Sequence, residues 1–271
     1  MRWTESSRGK DSEVIEMQTR TEDEAISDVG EAEKGLVIER RFTSAGSDPF
    51  DAFDWIEMNV EIRNPDGSLA HEIEGARLPS GFAGVPGKVC AQKYLRKAGV
   101  PAALRKVAED GVPVWLQRSE PDHEKLQTLD SEDRYVGETD GRELFRRLAG
   151  TWTYWGWNYG YFASEADARA YYDEMCYLIA SQRSAPNSPQ WFNTGLNWAY
   201  GITGPAQGHH YIDGTTGDLH LSEDAYTHPQ PHACFIQSVS DSLVGGTESI
   251  MGLWNREALL FKYGSGTGSN F

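Results

Sequence analysis

The tightest constraint on the fold is where the aromatic rings fall. "TWTYWGWNYGYF" (Thr151–Phe162) and "QWFNTGLNWAY" (Gln190–Tyr200) hold a large share of the nine tryptophans and twelve tyrosines in 271 residues. Rings of this size, so closely spaced, belong in a core or an interface. The first 35 residues are the opposite case. "TRTEDEAISDVGEAEKG" is acidic and poor in large apolar groups, so it cannot bury enough surface to offset the entropy of ordering it. A disordered acidic arm is expected over 1–35, with order beginning near Leu36.

The formal charge is −16. A basic face for nucleic acid or anionic membrane is therefore not expected, although a small nucleotide site needs only local donors. No apolar run reaches membrane-spanning length. The three cysteines, Cys90, Cys176 and Cys234, are odd in number and far apart, with no CxxC pair. Unpaired thiols of this kind fit a reducing cytoplasm better than a disulfide scaffold.

"WIEMNVEIRNPDGSLAHEIEGARLP" alternates apolar positions on either side of Asn64-Pro65-Asp66-Gly67, which predicts a β-hairpin. "GKVCAQKYLRKAG" predicts a helix closed by Gly99, and polar residues 117–140 read as a linker or long loop. "GRELFRRLAGTWTYWGW" and "SEADARAYYDEMCYLIASQR" predict two helices. The second has Ser164 as N-cap, a face of Tyr171, Met175, Leu178 and Ile179, and Cys176 buried beside it. Residues 201–231 have no period and read as a long excursion. "HACFIQSV" (His232–Val239) alternates as a strand. A last helix follows, with Thr247 as N-cap and a buried face of Ile250, Leu253, Trp254, Ala258 and Phe261.

The glycines of "YGSGTGSNF" match no common phosphate motif. A dinucleotide fingerprint needs GxGxxG between a strand and a helix, and a Walker loop needs Gly-Lys-Ser/Thr. What remains is that residues without side chains let backbone approach a ligand closely, with Lys262 nearby as a charge. His209, His210, His220, His228 and His232 fall within 24 residues, but without HxxxH spacing, so loop histidines are expected rather than a metal site. From its surroundings alone, a lone Cys234 reads as a small buried hydrophobe.

Three blocks change that reading. "APNSPQWFNTGLNWAYGITGPAQGHHY", "HPQPHACFIQSVSDSL" and "REALLFKYGSGTGSNF" closely resemble the cobalamin-dependent (class II) ribonucleotide reductases in their longer bacterial form. "FTSAGSDPFDAFDW" and "QKYLRKAGVP" resemble the N-terminal part of the same group. The resemblance runs from about Arg41 to Phe271. It implies an α/β fold in which residues 36–139 form an N-terminal α+β region. Residues 140–271 would then begin a ten-stranded α/β barrel, truncated here. In that family adenosylcobalamin breaks homolytically and a thiyl radical forms on a finger-loop cysteine. The radical takes the 3′ hydrogen of a ribonucleoside di- or triphosphate, the 2′-hydroxyl leaves as water, and two further cysteines supply the reducing equivalents.

By this resemblance Cys234 is one of the reducing pair, recharged by a thioredoxin-type reductant. Ser188 would bond the substrate's phosphate or sugar, Ala233 would offer backbone, and Gly266 would admit the base and ribose. The glycine stretch would be a turn between the two nucleotide sites. Asp241, with Ser242 and Leu243 beside it, would hold the ribose of a deoxynucleoside triphosphate effector, and Lys262 its phosphates. The effector would lie at a homodimer interface formed by the last helix. The family's Asn-Pro-Cys-x-Glu finger-loop motif, the partner of Cys234 and the C-terminal shuttle cysteines are not in this sequence. The chain therefore reads as an N-terminal fragment, cut off by a truncated gene, a contig end or an intein. Alone it is expected to be inactive and to need the remainder of the reductase. The alternative is a non-catalytic deoxynucleotide-binding dimerisation module.

Overall fold

The computed structural model describes residues 35–270, so the acidic arm predicted over 1–35 lies almost wholly outside the described residues. The hairpin forms as its sequence dictates. β1 (Trp55–Arg63) pairs antiparallel with β2 (Leu69–Pro79), with bulges between Met58 and Val60 and between Ile62 and Arg63. The turn closes through Gly67 N to Asn64 O (2.8 Å), and Gly67 takes the left-handed φ of +85° that only glycine adopts without strain. Val60, Ile73, Ala76 and Leu78 turn their side chains inward.

α1 (Val85–Lys93) ends six residues before Gly99. The chain then turns into two short antiparallel pairs, β3 (Val100–Pro101) with β6 (Tyr135–Val136), and β4 (Leu104–Lys106) with β5 (Ser119–Pro121). The expected linker over 117–140 is thus partly structured. It contains β5, α2 (His123–Gln127) and β6, and is pinned by buried Leu126 and Glu138.

α3 (Gly141–Asn158) starts with a reciprocal cap: the Asp140 carboxylate accepts from the helix amides and Glu143 accepts from the Asp140 amide. α4 (Glu165–Ala180) is capped by Ser164, as its sequence predicts. Its deepest face is Ala168, Cys176, Ile179 and Ala180, and it also buries Asp173 and Glu174; the predicted Tyr171, Met175 and Leu178 are only half-buried. The main core packs hairpin residues, α1 and α3–α4 around Phe145, Leu148 and Trp191. Two short helices follow, α5 (Ser188–Asn193) and α6 (Leu196–Tyr200). The 201–231 excursion holds a small hairpin, β7 (His210–Ile212) with β8 (Leu219–Leu221).

The chain closes with β9 (Cys234–Ser238), α7 (Ile250–Lys262) and β10 (Gly266–Asn270), and β10 runs parallel to β9. The glycine stretch is therefore a strand, not the expected turn. Backbone pairing with β9 supplies the order that its side chains cannot. The N-cap of α7 is Ser249, which accepts from Gly252 N, rather than Thr247. Of the predicted face only Leu253 is buried; Trp254 (65% exposed), Ala258 and Phe261 (58%) face outward. The described residues are mixed α/β with five two-stranded sheets and no closed barrel. None of their helices is long and apolar enough to cross a membrane.

Two charged clusters organise the packing. Arg147 on α3 is fully buried against Glu138 (2.7 Å) and also donates to the carbonyls of Tyr94, Trp191 and Thr194. Glu138 accepts in addition from Arg96 N and the Tyr200 hydroxyl, both at 2.7 Å. On α4, Glu174 accepts from the amides of Arg41, Phe42 and Thr43 and from the Thr43 hydroxyl (2.7 Å), strapping residues 41–43 to the helix.

Removing one member of a buried ion pair leaves its partner charged and unsatisfied, at a cost of about 3–5 kcal/mol. Arg147→Leu is expected to lower the unfolding free energy by about that amount in urea titrations, and a loss below ~1 kcal/mol would refute the role given to the pair. The Glu174 strap carries a pH dependence. Burial pushes this carboxyl up, but the Thr43 hydroxyl and three amides outweigh burial and leave it below its ordinary value. The contribution is complete above the unfolded-state value of about 4.3 and is lost as pH falls through the lowered folded value. Hydrogen exchange at the 41–43 amides should accelerate across that acid window relative to the core, and Glu174→Gln should abolish the effect.

Candidate functional site

β9, α7 and β10 form one strand–helix–strand unit, and the expected site residues gather at its two ends. The parallel register sets Gly266 opposite Cys234, and Gly266 N donates to Ala233 O (2.5 Å). Cys234 opens β9 with its side chain exposed, on the same face as Ile236 and Ser238; Phe235 and Gln237 are half-buried on the other. Environment alone suggested a buried thiol here, and the structure gives an accessible one. The buried cysteines are Cys90 and Cys176. Burial pushes the Cys90 thiol up to about 12 and the Cys176 thiol higher still, so both stay protonated and unreactive.

The lead-in to Cys234 is held by side chains that periodicity could not reveal. Gln230 donates to His232 O (2.9 Å) and its carbonyl accepts from His232 N. Buried Ser265 donates to the same His232 carbonyl (3.0 Å). The amide of Asn187 reaches Pro231 O (3.4 Å), which brings the start of α5 beside this segment. Ser188, exposed in the first turn of α5, lies 3.2 Å from the Tyr94 hydroxyl, and the Tyr94 ring stacks on Trp191. Ser188, Ala233, Cys234 and Gly266 thus share one end of the unit. The unusual Pro-Gln-Pro sequence was the available signal for Gln230; nothing in the sequence pointed to Tyr94.

Gln237 ties the unit together, donating to Thr267 Oγ1 (2.7 Å) and accepting from Arg256 Nε (2.8 Å). Arg256 also donates to the carbonyls of Ser238 (2.9 Å) and Thr247, clamping α7 onto β9.

Asp241, Ser242 and Leu243 sit at the other end. Ile250 N donates to Ser242 O (3.0 Å) and Met251 N to Leu243 O (3.2 Å), so this loop abuts the first turn of α7. Lys262 is in the last turn, exposed, with Nζ 5.3 Å from the Tyr263 ring centroid. The twelve helical steps from Ile250 to Lys262, about 18 Å at 1.5 Å per residue, separate the two ends. Within one chain the structure does not bring Asp241 and Lys262 together.

A cleft of about 790 Å³ lies between β9–α7 and the histidine-rich excursion, lined in part by Trp155, His228, Pro231, Phe235, Leu260 and Tyr263. His228 stacks on Tyr211 with centroids 3.7 Å apart, and its carbonyl meets His209 Nε2 at 2.5 Å. Burial, only partly opposed by Asp224, lowers the His228 pKa and favours the neutral ring. No group of three metal-ligating side chains converges among the described residues.

Residues 56–182 match the family described as class II vitamin B12-dependent ribonucleotide reductase. Over 236 residues the chain is 57% identical to a protein named vitamin B12-dependent ribonucleotide reductase from Bradyrhizobium diazoefficiens, which covers 86% of this chain and 19% of that protein. A protein of the same name from Agrobacterium fabrum is also 57% identical, over 86% of this chain and 18% of its own length. One from Rhodopirellula baltica is 30% identical, over 87% and 19%. The chain spans about a fifth of the length of these curated relatives.

The three thiols should separate cleanly in a labelling experiment. In the native chain iodoacetamide is expected to modify Cys234 and leave Cys90 and Cys176 unlabelled until denaturant is added, as read by peptide mass spectrometry. Equal labelling of all three would contradict the burial described here.

Proposed function

The chain belongs to the class II vitamin B12-dependent ribonucleotide reductases, and from that premise we propose that it is the N-terminal part of an enzyme converting ribonucleotides to 2′-deoxyribonucleotides in the cytoplasm. The observation that carries the proposal is the pairing of an exposed Cys234 with Gly266. A Cβ built at Gly266 would stand 3.6 Å from both Ala233 O and Cys234 Sγ, an ordinary contact, and one at Gly268 would meet nothing within 4 Å. Neither position has a φ that demands glycine. Glycine weakens a strand by roughly 0.5–1 kcal/mol relative to alanine, and no neighbour in this chain requires it. The bare backbone beside an accessible thiol suits a ligand that must come close.

In this reading Ser188 bonds the substrate's phosphate or sugar, backbone at Ala233 and Gly266 lies along the nucleoside, and the Cys234 thiol faces the 2′ carbon. The 2′-hydroxyl departs as water, and the two electrons come from a pair of thiols that closes to a disulfide, later reopened by a thioredoxin-type reductant. Cys90 and Cys176 are buried, so Cys234 has no second accessible thiol in this chain. Its partner and the radical-bearing cysteine come from the remainder of the reductase. Adenosylcobalamin supplies the radical when bound in the complete enzyme, and no residue of this chain is assigned to hold it. The β9–α7–β10 unit is the start of the ten-stranded barrel within residues 140–271, and residues 36–139 are the N-terminal region.

Asp241 and Lys262 gain a joint role only between two chains. Antiparallel packing of α7 against its copy, through the outward-facing Met251, Trp254 and Phe261, sets Asp241 of one protomer beside the Lys262 end of the other. A deoxynucleoside triphosphate can then place its ribose on the carboxylate and its phosphates on the ammonium. A purely regulatory binding module would use this interface too, but would leave the exposed Cys234 and the two unexplained glycines without a role.

The purified chain with adenosylcobalamin, a dithiol and a ribonucleotide should form no deoxyribonucleotide; turnover would overturn the fragment reading. Asp241→Ala should weaken dTTP binding about 10- to 100-fold, the range for a lost charge-assisted hydrogen bond. Mixing Asp241→Ala with Lys262→Ala chains should restore one intact site per heterodimer. If both residues served one nucleotide within a single chain, the mixture would restore nothing.

A further inference from the structure

The acids of this chain are not spread evenly. Residues 75–108 hold seven lysines and arginines and no aspartate or glutamate, although the formal charge is −16. Three of the seven are engaged within the fold. Arg77 reaches Glu57 and Asp140 at 3.9 and 4.0 Å, Arg105 pairs with Glu120, and Lys106 donates to Gln117 O (2.6 Å). Of the remaining four, Lys93, Arg96 and Lys97 lie together: residues 93–98, with Phe192, line a concavity of about 290 Å³.

This concavity suits an anion. Arg96 is partly engaged, because its Nε donates to Ala98 O (3.0 Å) and its guanidinium lies 5.8 Å over the Tyr226 ring. Lys93 and Lys97 are exposed and, among the described residues, meet no carboxylate within 4 Å. The carbonyls of this bend would repel an anion, but they face inner partners. That of Cys90 accepts from the amides of Tyr94 and Leu95, that of Tyr94 from Arg147, and that of Arg96 from Glu138 N. Glu138, which accepts from Arg96 N, is buried and matched by Arg147. Two ammonium groups on flexible stems, four residues apart, complement a multiply charged anion such as a phosphate chain; the planar fork that selects a carboxylate is not on offer.

Its position says which phosphates. Tyr94 stands in the wall of the concavity, and its hydroxyl is 3.2 Å from Ser188 Oγ. Ser188 and Phe192 are four residues apart on α5 and share one side of it. Phe192 in turn reaches the turn before β10, where a Cβ built at Gly264 would stand 3.4 Å from its ring. The concavity thus adjoins the end of the strand–helix–strand unit where Ser188, Cys234 and Gly266 gather. A nucleotide with its sugar at that end and its first phosphate at Ser188 can lay the phosphates that follow past Tyr94 to Lys93 and Lys97.

We propose that the Lys93–Lys97 concavity is the subsite for the terminal phosphate of that nucleotide, so that the site takes nucleoside di- or triphosphates ahead of monophosphates. The proposal rests on the reading of Ser188 and Cys234 given above; the cationic concavity itself does not.

The test is acetylation of the full 271-residue chain, read lysine by lysine by peptide mass spectrometry, with tripolyphosphate, ADP, AMP and sulfate as probes at one ionic strength. Tripolyphosphate and ADP should slow acetylation of Lys93 and Lys97 about fivefold or more, and AMP and sulfate less than about twofold. Lys125, exposed on α2, should keep its rate throughout. Ser188→Ala should remove the protection by ADP and keep that by tripolyphosphate, and Lys262→Ala should alter neither. In calorimetry, Lys93→Gln combined with Lys97→Gln should weaken tripolyphosphate binding about tenfold, with both changes on the surface and the fold undisturbed. If neither probe protects Lys93 and Lys97 more than Lys125, the bend is a solvated basic surface and the proposal is overturned, while the role given to Ser188 stands. If tripolyphosphate protects but ADP does not, or ADP protects the Ser188→Ala chain as well as the wild type, the phosphates do not arrive by way of Ser188. That outcome overturns the proposal and the Ser188 reading together.

Discussion

The buried Arg147–Glu138 pair decides how the rest of the chain is arranged. Both side chains are fully dehydrated, a state costing several kcal/mol per ion unless every donor and acceptor is matched. Here they nearly all are. The guanidinium spans carbonyls from the end of α1, from α5 and from the turn before α6, while the carboxylate gathers an amide near α1 and a hydroxyl from α6. Hydrophobic contact could hold these elements together in several registers. The fixed fork of an arginine, meeting carbonyls at residues 94, 191 and 194, accepts one.

That choice reaches the candidate active site through short, direct links. Arg147 fixes the carbonyls of Tyr94 and Trp191, whose rings stack, and Tyr94 meets Ser188. Asn187, one residue earlier, touches the segment leading into Cys234. The hairpin-and-helix core therefore does more than lend stability. It sets where α5 begins, and so where a substrate-binding hydroxyl would stand relative to the thiol.

The parts of this structure legible in the sequence are those governed by local rules. The Asn-Pro-Asp-Gly turn, the Ser164 cap and the alternation of β9 each follow from a few neighbouring residues. Pairing and burial between distant segments were not legible. Glu138, Arg147, Asp173 and Glu174 look like surface charges until their partners, tens of residues away, are known. β10 has Thr267 as its one β-favouring side chain, between two glycines, and becomes a strand because β9 offers a parallel edge. The face of α7 was misread because its apolar residues cover most of the helix, while the chain as described buries only Leu253. Of the candidate site residues, Cys234, Ala233 and Gly266 fall together as their order along β9 and β10 requires. The separation of Asp241 from Lys262 depends on the direction of α7, which spacing alone does not disclose.

The surfaces left uncovered share one physical pattern. Ile236 is 91% exposed beside Cys234, and Trp254 and Phe261 stand out from α7 on the far side of the same unit. Apolar groups of this size, gathered on a two-stranded sheet and its connecting helix, leave a large free energy of burial unused, about 1.5–3 kcal/mol for each large side chain. A parallel pair with one face and its outer edges open is also the arrangement that natural sheets avoid by adding further strands or covering elements. Under the proposed function the two exposures have different destinations. The Cys234 face turns toward substrate and the remaining barrel strands, and the α7 face toward a second protomer. Arg256 and Gln237 tie the helix to both strands, so under that proposal a shift of α7 at a protomer contact would reach the Thr267 side chain, next to Gly266. An effector bound between protomers would act on substrate choice along that route: it needs no long chain of contacts, only a helix clamped to the strand that carries the thiol.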